Sequence, residues 1–355
     1  MKNVAEILTK AVELGASDIF IIAGAKLSFK INGQIEKVSD ETLRPEDTEM
    51  MINALYELKN NRGLEKLEDD GEDDFSLALK KIARFRVNTY YQRGSKAAVL
   101  RVVNFTLPDA KELGINENIL NFSKLLKGLV LITGSAGSGK STTLACIVNE
   151  INKNRNSHVI TIEDPIEYLH AHNKSIISQR ELGQDTSTYL NALRASLRES
   201  PNVILIGEMR DLETIKVALS AAETGHLVLS SLHTVGVAET INRIIDVFPA
   251  EQQQQIRVQL SMVLQSVVSQ QLLESVTNEM VPAFEIMTMN NAIRTQIREN
   301  KLHQIDNVIA SNKANGMVLM DDSLLELYKQ GVIDKENLLL HAINYDAMER
   351  KINSL

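Results

Sequence analysis

The rhythm of apolar positions changes twice along this chain. Val4, Ile7, Leu8 and Val12 with Leu14 recur at helical spacing, and Gly15 marks a stop. DIFIIAG and LSFKING read as short strands, with Asn32-Gly33 as a tight turn. PEDTEMMINALYELKN is a second amphipathic helix. EKLEDDGEDD, from Glu65 to Asp74, is acidic and broken by glycine, and reads as a loop. In the next runs Phe85, Val87 and Thr89 alternate with Arg84, Arg86 and Asn88, the period of a half-buried antiparallel sheet. Residues 1–104 are therefore predicted to form a small α+β domain. Residues 105–118, opening with FTLPDAKELGI, read as an interdomain linker.

Past the linker the pattern loses its alternation. GLVLITG, SHVITIED, NVILIGE and GHLVLSSLHT are continuous apolar runs, as strands covered on both faces require. They alternate with helical stretches, so residues 119–355 are predicted to be α/β, a mostly parallel sheet between layers of helices. EQQQQIRVQ keeps helical apolar spacing despite four consecutive glutamines. From about residue 270 the chain is expected to be mainly helical, with Gly331 as a stop between DDSLLELYKQG and DKENLLLHAINY.

Composition narrows the function. The 355 residues are 44% hydrophobic and 24% charged, ordinary for a globular protein of two or three domains. A net charge of -8 weighs against coating nucleic acid, so no direct nucleic-acid partner is expected. The single Cys146 excludes an intrachain disulfide and a multi-cysteine metal site, and its apolar neighbours point to packing. The start lacks the apolar core of a signal peptide, and no run reaches the roughly 20 apolar residues that cross a bilayer. A cytoplasmic protein is expected.

Chemistry enters at VLITGSAGSGKSTTLACIV, Val130 to Val148. Gly134, Gly139, Lys140 and Ser141 fit GxxxxGK[ST], with a strand before and a helix after. The loop Gly134, Ser135, Ala136, Gly137, Ser138 and Gly139, continued by Lys140, Ser141 and Thr142, would ring phosphates with backbone N–H groups at a positive helix end. Lys140 should reach the β and γ phosphates and Ser141 should hold Mg²⁺. Two acidic clusters end predicted strands, where ligands gather in open α/β sheets. Glu163, beside Asp164, is the candidate to orient or deprotonate water. Glu208 is the candidate for Mg²⁺, through water. The two roles are exchangeable on sequence alone. A capped turn before Pro165 and a salt bridge of Glu208 with Arg210 are the plain alternatives.

His226 and His233 stand at opposite ends of one predicted strand. His233, at the carboxyl end, suits a γ-phosphate sensor. His226 could meet a neighbouring subunit, and a structural polar role is open for each. Arg84 and Arg86 share a strand face and Arg93 follows at a hairpin. They either solvate the sheet, form salt bridges, or neutralise γ-phosphate charge.

These motifs together resemble the secretion-type ring ATPases, most closely the retraction ATPases of type IV pili. The resemblance spans the chain: GASDIFIIAG and FKINGQI in front, ARFRVNTYYQRGS as the arginine-bearing sheet, GSAGSGKSTT as phosphate loop. TIEDPIEY is similar to the family's Asp box, LIGEMRDLETI to its Walker B segment, GHLVLSSLHT to its His box, and NNAIRTQIRENKLHQI to a retraction-type signature. The resemblance implies a homo-hexamer with a PAS-like N-terminal domain and a RecA-like P-loop core, using ATP and Mg²⁺. It implies hydrolysis coupled to movement between subunits, acting on an inner-membrane platform protein of the pilus machinery, with other retraction ATPases as further partners. It implies peripheral placement on the inner face of the cytoplasmic membrane. Glu163 becomes the general base, Glu208 the Walker B carboxylate, and His226, His233 and the three arginines functional residues. Arg194 and Arg198 match a family-like segment. Phe20, Lys30, Asn202 and Asn300 depart from common family residues, and none is a proposed hydrolytic group. A short front domain and only one cysteine favour retraction over assembly or type II secretion ATPases. An accessory retraction ATPase and a non-hydrolysing, nucleotide-controlled binding module are the other readings.

Overall fold

The computed structural model describes residues 3–31, 33–59, 62–80, 82–103 and 107–354. Asn32 of the predicted turn, and Phe105 and Thr106 of the predicted linker, lie outside the described residues. The chain divides into two compact units, Met1–Thr106 with Glu167–Leu169, and Leu107–Ile166 with His170–Leu355.

The first unit runs α1 (Val4–Glu13), β1 (Asp18–Ile21), β2 (Lys26–Ile31), β3 (Gln34–Thr42), α2 (Pro45–Leu58), α3 (Glu65–Asp70), β4 (Glu72–Leu79), β5 (Ala83–Gln92) and β6 (Ser95–Val103). Its sheet has the order β3-β2-β1-β6-β5-β4, antiparallel throughout. The period-two reading of β5 is observed. Ala83, Phe85, Val87 and Thr89 are buried, the first three in one core with Leu8, Ile52 and Leu55, while Arg86 is exposed. Arg86 lies 3.9 Å from Asp74 across the pair. The buried Asp73 receives the Nε and Nη2 of Arg62 at 2.9 and 3.0 Å, and the Tyr56 hydroxyl at 3.1 Å. Burial, with the negative charge of Asp73 adding to it, pushes the Tyr56 phenol up to about 12.

One local reading is corrected and one strand is added. Glu65 to Asp74 is not a loop but α3 and the start of β4. Leu67 alone supplies the buried contact of α3, and Gly71, at φ 80°, ends it, so the acidic residues simply occupy its wet side. The additional strand β3 is an edge strand, mostly exposed and polar, with no apolar alternation to betray it.

The second unit runs α4 (Glu117–Leu120), β7 (Gly128–Thr133), α5 (Lys140–Asn154), β8 (His158–Glu163), β9 (Ile176–Glu181), α6 (Tyr189–Ser196), β10 (Val203–Ile206), α7 (Leu212–Glu223), β11 (Leu227–Leu232), α8 (Val237–Asp246), α9 (Ala250–Val263), β12 (Leu264–Glu274) and β13 (Met280–Thr288). It closes with α10 (Asn291–Arg298), α11 (Ile305–Ser311), α12 (Met320–Lys329), α13 (Lys335–His341) and α14 (Tyr345–Asn353). The sheet order is β13-β12-β7-β11-β10-β8-β9, parallel except for β13.

The unbroken apolar runs have the predicted cause. Leu129 and Leu131 of β7, Ile204 and Ile206 of β10 and Val228 of β11 enter one core. Val130 and Ile132, Val203 and Leu205, and Leu227 and Leu229 enter the other, on the opposite face. Cys146 is buried in this second core, where burial pushes its thiol up to about 11. The helical expectation from about residue 270 is corrected in its first part, since β12 and β13 pair antiparallel there. Buried Ser266, Ser269 and Gln270 interrupt the apolar run of β12 and hide it from a hydropathy reading. Among the described residues no helix is long and apolar enough to cross a membrane.

Candidate functional site

The site begins where β7 leaves the sheet. Gly134 has φ 143° and Gly139 φ 85°, both in the region that favours glycine. A Cβ on Gly134 would run into the Gln270 carbonyl oxygen, and one on Gly139 would lie 2.9 Å from Gln270 Nε2. These two glycines bound a concave loop, Ser135 to Ser138, that ends on the first turn of α5. The Ser138 hydroxyl is buried and lacks a hydrogen-bond partner among the described residues. An orphaned hydroxyl in a concave loop bounded by two glycines at a helix N-terminus fits an anionic oxygen-rich ligand.

Lys140, the first residue of α5, is buried. Its ammonium donates to the Gly134 and Ser135 carbonyls at 3.0 and 2.7 Å and to His233 Nδ1 at 3.2 Å. An ammonium has no acceptor, so His233 Nδ1 must accept and the ring proton sits on Nε2. Nε2 faces Glu208 Oε2 at 3.4 Å, and that oxygen also takes Arg210 Nη2 at 2.7 Å. Lys140, His233, Glu208 and Arg210 thus form one polar chain across the carboxyl ends of β7, β11 and β10. The local salt bridge of Glu208 with Arg210 exists together with the His233 contact.

Glu163 ends β8, next to β10. Its Oε1 accepts from Thr161 Oγ1 at 2.6 Å and Gln179 Nε2 at 3.3 Å, which fix the carboxylate from its own strand and from β9. Ser141 and Thr142 follow Lys140 in the first turn of α5. Among the described residues no group of three or more His, Cys, Asp or Glu side chains could hold a metal. The Ser141 hydroxyl and the Glu208 carboxylate are oxygen donors of the kind Mg²⁺ takes beside phosphates and water.

The structure does not bring His226 to this cluster. It precedes β11 at the opposite end of the sheet, and its Nδ1 lies 3.0 Å from the Ala221 carbonyl. Arg84, Arg86 and Arg93 belong to the first unit, on β5 and at the following turn, where Arg93 has φ 49°. Arg194 pairs with Glu213 at 3.3 Å on the outside of the second unit.

Three residues at the site were not singled out from the sequence. The Tyr189 hydroxyl of α6 lies 3.0 Å from where a Gly207 Cβ would stand. Burial, then the charges of Asp164, Glu208 and Glu163, drive its phenol far above the usual range, so it remains a donor. Gln270 and Glu285 approach from β12 and β13. Glu285 is buried and accepts the Val237 N–H at 3.1 Å at the start of α8, just beyond His233. No local spacing marks these three, because each arrives from a distant segment.

A family model described as Type II/IV secretion system protein matches residues 1–338. The type IV pilus retraction ATPase PilT of Pseudomonas aeruginosa is 41% identical over 335 residues, covering 94% of this chain and 96% of that protein. The type IV pilus ATPase PilU of the same organism is 37% identical, covering 95% and 88%. A crystal structure of the pilus retraction motor PilT with bound ADP superposes with a TM-score of 0.92 at 45% identity, covering 99% of both chains.

Proposed function

This chain belongs to the Type II/IV secretion system protein family, and on that premise we propose that it is an ATP-hydrolysing hexameric motor that drives type IV pilus retraction. The observation that carries the reading is the chain Lys140–His233–Glu208–Arg210 at the mouth of the phosphate loop. It links the group that would hold the β and γ phosphates to the carboxylate beside them, so loss of the γ-phosphate can be sensed at two strand ends at once. The binding of ADP by the PilT crystal structure, at 45% identity, supports the assignment of the loop to a nucleotide.

ATP is the substrate. Its phosphates would lie on the N–H groups of residues 134–142, with Lys140 turning from the Gly134 and Ser135 carbonyls toward them. Glu163, held by Thr161 and Gln179, orients the attacking water and takes its proton. Ser141 and, through water, Glu208 would hold Mg²⁺, whose charge offsets that developing on the phosphoryl oxygens. Arg84, Arg86 and Arg93 are the candidates to add positive charge there, and His226 to touch a neighbouring subunit. A closed ring offers each nucleotide an adjacent protomer. We assign residues 1–104 to the smaller domain, 105–118 to the linker and 119–355 to the RecA-like core. The motor would work in the cytoplasm, on a platform protein at the inner membrane.

Live imaging of labelled pili tests this. In a strain lacking the gene, pili should extend but not withdraw. The wild-type gene should restore withdrawal and Lys140→Ala should not. The 37% identity to PilU keeps an accessory retraction role as a second reading. Withdrawal that continues in the deletion strain at reduced force would favour it.

A further inference from the structure

The phosphate loop is described by its own sequence, yet one residue far from it touches both of its ends. Gln270 lies on β12, which runs parallel to β7 in the register Val268 with Ile132 and Ser269 with Thr133. Gln270 therefore stands level with Gly134, where the loop starts. Its backbone carbonyl fills the space a Gly134 side chain would need. Its side chain, only 3% exposed, reaches the other end. There Oε1 accepts from the buried Thr143 Oγ1 at 2.7 Å, in the first turn of α5. Nε2 lies 2.9 Å from the Gly139 Cβ position. The preceding residue, Ser269, accepts the Gly236 N–H at 2.9 Å, in the loop that follows His233.

The geometry points to Gln270 as the positioning residue of the phosphate loop, fixing the spacing between Gly134 and α5 through Thr143. An amide suits this place for a physical reason. It has an acceptor and a donor on one planar end, so anchoring Oε1 on Thr143 also fixes Nε2 against Gly139. A hydrophobic side chain of similar size would fill the space and leave the Thr143 hydroxyl buried without a partner. The loop's N–H groups bind phosphate only when they converge, and convergence depends on the distance between the loop's two ends. Gln270 does not touch the reacting atoms. It acts through Thr143 and Gly139.

This rests on the nucleotide reading of the loop, and the test separates the two. Full-length wild type, Gln270→Met, Thr143→Val, Thr143→Ser and the double variant Gln270→Met/Thr143→Val are compared. Four quantities are measured: affinity for a fluorescent ADP analogue, KM and kcat for ATP, and the melting temperature without nucleotide. The expected result is an ADP affinity weakened about tenfold in Gln270→Met and in Thr143→Val, from loss of one buried hydrogen bond. KM should rise in parallel while kcat changes little. Thr143→Ser should restore wild-type affinity, and the double variant should be no weaker than either single one. Lower melting temperatures with unchanged ADP affinity would overturn the inference and leave Gln270 a packing residue. So would additive losses in the double variant. Failure of the wild type to bind the ADP analogue at all would overturn the functional reading itself, and this inference with it. Thr143→Ser keeps the hydroxyl in place should either of the other variants fold poorly.

Discussion

Glu285→Gln should abolish a loss of stability that the wild type suffers as pH rises. Glu285 is 7% exposed and accepts one backbone N–H, from Val237. Burial, with small additions from Asp306 and Asp321, outweighs that hydrogen bond and raises its carboxyl from 4.5 to about 7. The folded-state value lies above the unfolded one. Its stabilising share is therefore fully present below pH 4.5 and is lost as pH rises through about 7. A shift of that size corresponds to about 3 kcal/mol, most of it lost between about pH 5 and pH 8. Glutamine has nearly the same shape, can still accept from Val237, and does not titrate. Urea unfolding at fixed protein concentration, followed by far-UV circular dichroism because the chain has no Trp, gives both stabilities. Relative to the variant, the wild type should fall by about 2–3 kcal/mol over that pH range. Parallel stability curves would refute the reasoning, since they would mean that Glu285 ionises alike in the folded and unfolded chain.

Other outcomes follow from the same geometry. Gly134→Ala should cost about 2 kcal/mol or more and remove nucleotide binding, because the new Cβ meets the backbone of β12. An unchanged ADP titration would contradict that. His233→Ala should lower single-turnover phosphate release about a hundredfold, since it cuts the path from Lys140 to Glu208. A change under about twofold would mean that the path has no catalytic use. Tyr189→Phe should reduce kcat about fivefold with ADP affinity intact, as a hydroxyl that feels burial and the charges of Asp164, Glu208 and Glu163 is lost. An equal kcat in Tyr189→Phe and wild type would remove Tyr189 from the site.

The two-unit division into α+β and α/β parts was legible because β5 alternates and β7, β10 and β11 do not. Those patterns follow directly from one covered face or two. The loop Gly134–Thr142 was legible because all its groups are consecutive. Glu163, Glu208 and His233 could be placed because parallel strands put their carboxyl ends together. Of their partners only Arg210, beside Glu208, could be named. Gln179, which holds Glu163, is half-buried on β9, and Gln270 and Glu285 are polar residues buried on β12 and β13, where a hydropathy pattern registers only an interruption. β3 escaped for the opposite reason, being an edge that turns little more than Val38 toward the core. His226 shares a motif with His233, but the strand between them carries the two to opposite ends of the sheet.

Phosphate release from ATP by the purified full-length chain, beside Lys140→Ala, tests the central claim most directly. Steady release by the wild type, with Lys140→Ala at the background of the assay, is the predicted result. Equal rates in the two preparations would contradict the assignment of this loop as the seat of hydrolysis.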